Sequence, residues 1–332
     1  MKSFLLKLSL YAAALMVLNL LLGRYLQTYE TVDLKENGQF FPATRWDEYY
    51  AQEGNIDVLV LGSSHAYRSY HPTVLEDNLN EATVFNFGSS GQNPLTSYYV
   101  LDEVLRMHRP AVVIMDVYIM VFAENRELSN ARINLISMRP GPGRRNFFSE
   151  GFPLKHKVLS LFPSYQYRAH AAPKLKKLLG MRYLRPHQER YVEKGFVELT
   201  DTITLTELQQ VLAVTKPVEN LDFVTESSIA YLEKIKERCA AAGIPLVLTV
   251  SPIPEMAEDH MGIYGQANAY FGDLAEKWEV PYYDFIRDRL PILKDEHHYS
   301  DDHHLNAAGA RIYSKAIAPI IQKHAKWTKA SN

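Results

Sequence analysis

Five short apolar runs, at residues 56–61, 83–87, 111–117, 245–250 and 281–285, do most to limit what this chain can fold into. Each is rich in Val, Ile, Leu or aromatic residues and too short for a core helix, and the segments between them carry apolar positions at helical spacing. Strands alternating with helices predict a three-layer α/β/α sandwich of flavodoxin-like type, with about five parallel strands. Helices are expected at about 226–242 and 264–278, and a last one where apolar positions recur at helical spacing over 311–317.

The first run ends in Gly62-Ser63-Ser64-His65. In an open α/β sheet the carboxyl edge of the strands is where ligands bind. A small-residue turn there exposes the Ser64 hydroxyl and places backbone N–H groups of a helix N-terminus around a developing negative charge. Taken alone, the tetrapeptide equally suits a Ser N-cap on an ordinary loop. The segment Asp301-Asp302-His303-His304-Leu305-Asn306 shifts that balance. A serine is a weak nucleophile until a base takes its proton, and the base works best when a carboxylate fixes its tautomer. Asp301 and His304 supply such a pair on the loop entering the last helix, and Asp302 is the alternative orienting acid.

With these blocks the chain resembles the SGNH (GDSL-like) hydrolase superfamily. The resemblance implies Ser64 as nucleophile, His304 as base and Asp301 as orienting acid. A third block, Asn86-Phe87-Gly88-Ser89-Ser90-Gly91, matches the family's Asn-x-Gly-x-x-Gly pattern and implies the Ser64 and Gly91 amides as oxyanion donors. The fourth block departs from the pattern. Val112-Val113-Ile114-Met115-Asp116-Val117-Tyr118 lacks the family's Gly-x-Asn-Asp, so one side-chain donor is missing, with Tyr118 or Asn93 as the candidate replacements. Losing one donor typically costs about 2.7–4 kcal/mol of transition-state stabilisation. Asp116 equally suits a capping role at a strand end. His65, beside the nucleophile, either shapes the pocket or caps the helix. The Gly-Ser-Ser variant followed by His71-Pro72 is similar to membrane-anchored members that act on cell-envelope polymers, by O-acetylation or D-alanyl transfer.

The N-terminus agrees with that placement. Lys2 and Lys7 precede an apolar run through Leu22, about 19 residues from Phe4, against the roughly 20 a bilayer needs. No small-x-small cleavage site follows, which favours a signal-anchor at 1–24 over a cleaved leader. Lysines on the amino side orient the body away from the cytoplasm, although Arg24 opposes this. Residues 25–54 are expected as a tether, and residues 55–122 with 220–325 as the hydrolase-like domain. Cys239 is the sole cysteine, so no internal disulfide and no thiolate metal cluster can form.

Residues 123–219 interrupt the alternation and are expected as a mainly helical insertion. Between 125 and 195 there are fifteen Lys or Arg against four acidic residues, in a chain whose net charge is −2. This basic stretch, with Arg144 and Arg145 in a Pro/Gly-rich loop, is expected to cap the active-site edge, bind substrate or rest on anionic lipid. Tyr165, Tyr167, Tyr183 and Tyr191 would suit stacking on bases, but no nucleic-acid motif accompanies them, and an exported body excludes that partner. The His/Asp-rich run 297–304 has a metal-binding alternative, disfavoured because adjacent side chains diverge. No cofactor is implied. The sequence thus points to a serine esterase or O-acyltransferase on acylated cell-surface glycopolymers, beside an integral-membrane acyltransferase partner. The competing class is a degenerate fold that binds glycopolymer or scaffolds a membrane complex.

Overall fold

The computed structural model describes residues 2–29, 41–123, 128–181 and 189–327. Strands β1 (Val58–Leu61), β2 (Val84–Asn86) and β3 (Val112–Asp116) precede a hairpin of β4 (Glu189–Glu193) and β5 (Phe196–Leu199). Strands β6 (Leu246–Val250) and β7 (Tyr282–Asp284) follow. Five of these form one parallel sheet in the order β2-β1-β3-β6-β7, with Val58 opposite both Val84 and Val112. Each parallel pairing needs a crossover, which the helices between the strands provide. Val58, Leu59, Val60 and Leu61 are fully buried, as are Ile114 and Val247, because helices cover both faces of the sheet.

The helices begin and end where local chemistry allows. Ser63 caps helix Ser64–Ser69 by accepting from the His65 N–H at 3.3 Å. Asn306 caps the last helix, Ala307–His324, by accepting from Gly309 at 3.0 Å. Helix Glu226–Ala242 starts at Thr225 and stops at Gly243, whose φ of 70° is the left-handed region that favours glycine.

One expectation needs correction. Of the expected tether, residues 30–40 lie outside the described residues, but helix Phe41–Ala51 belongs to the core. Its Trp46 and Tyr49 are fully buried, with ring centroids 4.8 and 5.1 Å from Phe87. The insertion is mainly helical; it also carries β4 and β5 and lends Leu135, Phe147, Phe152, Leu208 and Leu212 to the core. The β4–β5 turn, with Lys194 at φ 43° and Gly195 at φ 86°, presses on β2: the Asn86 N–H donates to the Lys194 carbonyl at 2.9 Å. Ala123 bridges Val224 and the Thr225 N–H donates to Phe122 O at 3.0 Å, so the insertion leaves and rejoins the body at one point. Residues 124–127 and 182–188, with Tyr183, lie outside the described residues.

The N-terminal helix, Lys2–Thr28, is long and apolar enough to cross a membrane, and the apolar side chains along it are exposed.

Candidate active site

Strand β1 delivers Gly62, Ser63 and Ser64 to the carboxyl edge of the sheet between β2 and β3, where the strand order reverses. Gly62, at φ 143°, is packed so closely that a Cβ would lie 2.9 Å from those of both Ala66 and Asp116. Asn86 ties this turn to the next loop. Its amide donates to the carbonyls of Ala66 and Tyr70 at 2.9 and 3.0 Å and its oxygen accepts from Gly88 N–H at 2.9 Å. Arg45, from the core helix Phe41–Ala51, donates to the Gly88 carbonyl and, at 2.6 Å, to Asn134. Burial lowers the Arg45 pKa to about 10.

The loop before the last helix supplies the other half. Tyr299 bridges Leu305 and the Ser300 N–H donates to His304 O at 2.9 Å, closing residues 300–304 into a tight turn. His304 Nε2 lies 2.8 Å from Ser64 Oγ, and its Nδ1 lies 2.8 and 3.0 Å from the two Asp301 oxygens. Asp301 also accepts from the His304 and His303 N–H groups at 2.8 and 3.0 Å. Asp302 instead faces His303, at 2.7 Å from Nδ1, so Asp301 is the carboxylate at His304.

These contacts assign the protons. Nδ1–H of His304 donates to Asp301, which leaves the Nε2 lone pair toward Ser64 Oγ. Burial, opposed by the Asp301 hydrogen bond and aided by the His303 and Arg68 charges, lowers the His304 pKa to about 4. The imidazole is therefore a neutral base at ordinary pH. Burial would raise the Asp301 pKa, but the His304 hydrogen bond and the histidine charges outweigh it and hold the carboxyl well below its ordinary range.

Arg68 is a site residue that the sequence reading missed. It lies four residues after Ser64, on the same helix face, and its Nη1 is 2.8 Å from His304 Nδ1. With Nδ1–H already given to Asp301, Arg68 acts on the ring as a cation. Its Nη2 is paired with Glu189 of β4, so the insertion is linked through Arg68 to His304. The only available signal was a basic residue at i+4 from the candidate nucleophile.

A cleft of about 470 Å³ opens beside Ser64, and its lining includes Ser90, Gly91, Tyr118, Asp302 and His303. Gly91 has φ 59°, and among the described residues neither its N–H nor that of Ser64 has a protein acceptor. Tyr118 is in the cleft, but its hydroxyl is bonded to that of Tyr264 at 3.2 Å. Its ring stacks on His65 at 3.6 Å, with His65 almost fully buried and held neutral first by burial, then by the His304 and His303 charges. His65 is thus packing beneath the cleft, and Ser63 is the cap. The Asn93 side chain accepts from Thr96 N–H at 3.0 Å as a helix cap and does not line the cleft. Arg144 and Arg145 line a different cleft, of about 520 Å³, with Leu135, Phe148 and Gln166. The structure does not bring them to Ser64. Asp116 is fully buried and accepts from the Ser251 N–H at 3.0 Å, and burial raises its pKa to about 7. Asp301, His303 and His304 place ligand-type atoms within 4.8 Å of one another, but a metal there would compete with the His304–Ser64 and His303–Asp302 links.

No family model and no curated protein matches this sequence. Among solved structures it is similar to a GDSL-like lipase from Bacteroides thetaiotaomicron, at 11% identity and a TM-score of 0.41, over 85% of this chain and 98% of that one. It is also similar to a lipase/acylhydrolase from Enterococcus faecalis, at 12% identity and a TM-score of 0.38, over 82% of this chain and 100% of that one. Likeness at this level is loose, and what the chain can do is decided by its own side chains.

Proposed function

We propose that this chain is an SGNH-type serine hydrolase or O-acyltransferase of carboxylic esters, anchored by its N-terminal helix with the catalytic body outside the cytoplasm. The supporting observation is the unbroken relay from Ser64 Oγ through the His304 ring to Asp301, with 2.8 Å at each link. Such a relay makes a hydroxyl nucleophilic at neutral pH.

In this reading Ser64 Oγ attacks the ester carbonyl as His304 Nε2 takes its proton, and Asp301 stabilises the imidazolium. The Ser64 and Gly91 amides face the tetrahedral oxyanion. Return of the proton from His304 to the leaving alkoxide oxygen releases the alcohol and leaves an acyl-Ser64. His304 then deprotonates the acceptor as its oxygen attacks the acyl carbonyl, and passes that proton to Ser64 Oγ as the acyl–Oγ bond breaks. Water completes hydrolysis, and a sugar or polyol hydroxyl completes transfer. The Tyr118 hydroxyl is bonded to that of Tyr264 and Asn93 does not line the cleft, so among the described residues neither candidate takes the place of the absent Asn, which fits a slow enzyme or one selective for activated acyl donors. Acylated cell-envelope glycopolymer is the substrate class that the motif resemblance supports, with an integral-membrane acyl carrier as partner.

Labelling the purified full chain with a serine-directed fluorophosphonate, mapped by mass spectrometry, tests the nucleophile. Modification at Ser64 that is lost in Ser64→Ala and in His304→Ala is the expected result. A folded chain without labelling at Ser64 would return the protein to the glycopolymer-binding or scaffolding class.

A further inference from the structure

Outside the N-terminal helix, exposed large apolar side chains are unevenly placed. Among the described residues five, Met107, Leu205, Val211, Val214 and Ile292, are scattered over the body, whereas nine lie between residues 154 and 181. That segment contributes nothing to the central core cluster. The nine are patterned. Leu154, Val158 and Leu161 fall at i, i+4 and i+7 along and just beyond helix Leu154–Leu159, and Leu175, Leu178 and Leu179 at i, i+3 and i+4 along helix Ala171–Leu178. Each set forms one stripe of its helix. The segment also carries six Lys or Arg and no acidic residue.

The segment is fixed against the membrane-length helix. Asn19 donates to Leu161 O at 3.4 Å and accepts from the Ser164 N–H and hydroxyl at 3.2 and 2.6 Å. A Cβ on Gly23 would lie 2.3 Å from that of Pro163, so the two backbones are in close contact. The Lys174 ammonium lies 5.1 Å from the Tyr25 ring centre. Asn19 is inside the apolar run, three residues before its end at Leu22, or about 4.5 Å along the axis. Where that run spans a bilayer, the turn at 161–164 is held at the boundary of headgroups and acyl chains, the depth at which interfacial helices lie. A polar Asn at that depth also requires a partner, and the turn supplies it.

We propose that residues 154–181 form a membrane-seating module. Its leucine stripes enter the acyl boundary of the leaflet from which the N-terminal helix emerges, and its lysines meet anionic phospholipid headgroups. The occupant of this face is lipid, because the turn at 161–164, between the two leucine stripes, is bonded to the membrane-length helix and the segment's charge is of one sign. The module rests on the anchor reading and is independent of the catalytic one.

The test uses the full chain in phosphatidylcholine vesicles, with and without phosphatidylglycerol. Environment-sensitive probes are placed at Leu161→Cys and Leu178→Cys, with Leu15→Cys as the reference inside the bilayer and Ile292→Cys as the reference in water. Cys239 is buried and stays, and each variant is checked for an unchanged melting temperature. Lipid-borne nitroxides should quench Leu161 and Leu178 several-fold more than Ile292, more strongly when phosphatidylglycerol is present. Quenching at the Ile292 level with Leu15 quenched overturns the module and leaves the anchor standing. Absence of quenching at Leu15 as well overturns both. Blue-shifted emission at 161 and 178 without lipid quenching shows a second copy or another protein on this face, which also overturns the proposal.

Discussion

Around Ser64, the side chains of His304, Asp301, Asp302 and His303 are buried or half-buried and bonded within the group; between residues 154 and 181, nine large apolar side chains are exposed and none joins the core. His304 keeps 6% of its surface and Leu178 keeps 75%. Both regions invert the ordinary rule of apolar inside and polar outside, in opposite senses. A buried polar cluster is tolerated when its members bond one another, and its members are then rigid enough for chemistry. An exposed apolar stripe is tolerated when something outside the chain covers it. One region thus gathers groups suited to chemistry, and the other presents an apolar face that the chain itself does not cover.

The difference is sharpest in activity. Asp301→Asn should lower kcat/KM for a small acetyl ester by roughly 10⁴-fold, because the amide no longer holds Nδ1–H and Nε2 loses its lone pair toward Ser64. Steady-state kinetics with an unchanged melting temperature would establish this. A loss below tenfold would mean that Asp301 does not orient His304.

Stability separates the regions next. Trp46→Ala, in the helix that the sequence presented as a tether, should cost about 3–5 kcal/mol in denaturant unfolding, as truncation of a fully buried aromatic does. A loss under about 1 kcal/mol would detach that helix from the core.

The acid limb of the rate profile comes third. Since His304 is held down to about 4, chiefly by burial, kcat/KM should stay level through neutral pH and fall only as pH drops through that value, where the base becomes protonated. Arg68→Gln removes a cation beside the imidazole. It should move the limb to higher pH, by on the order of one unit or less. A limb that does not move would leave Arg68 a packing residue.

The smallest effect belongs to the exposed region. Leu178→Ser should change the unfolding free energy by less than about 0.5 kcal/mol, since the side chain is mostly in contact with solvent. A larger loss would show that the stripe packs on the chain itself.

The five sheet strands were legible because each is an apolar run buried on both faces, and the turn at 301–304 because Asp and His at that spacing serve a serine. Helix Phe41–Ala51 was not legible. It buries an arginine with its aromatics, and no periodicity rule anticipates that a carbonyl at Gly88 awaits the guanidinium. The β4–β5 hairpin escaped for a similar reason, since its Lys194-Gly195 turn lacks the Asn-Gly or Asp-Gly signature. Arg68 was visible as a residue but not as a neighbour of His304, 236 positions away. Asn93 and Arg145 are the converse, polar residues near site motifs that the folded chain uses for capping or places on another cleft.

The bridge between Ala123 and Val224 has an evolutionary consequence. Within an excursion whose ends are pinned together, the stretch 154–181, which adds nothing to the core cluster, can lengthen, shorten or be exchanged without shifting the strands that carry Ser64 and Asp116, since loop closure depends only weakly on length. The leucine stripes lie within that excursion, whereas Ser64, Asp301 and His304 lie outside it. Selection can therefore exchange the leucine-striped segment alone, while Ser64, Asp301 and His304 keep their mutual geometry.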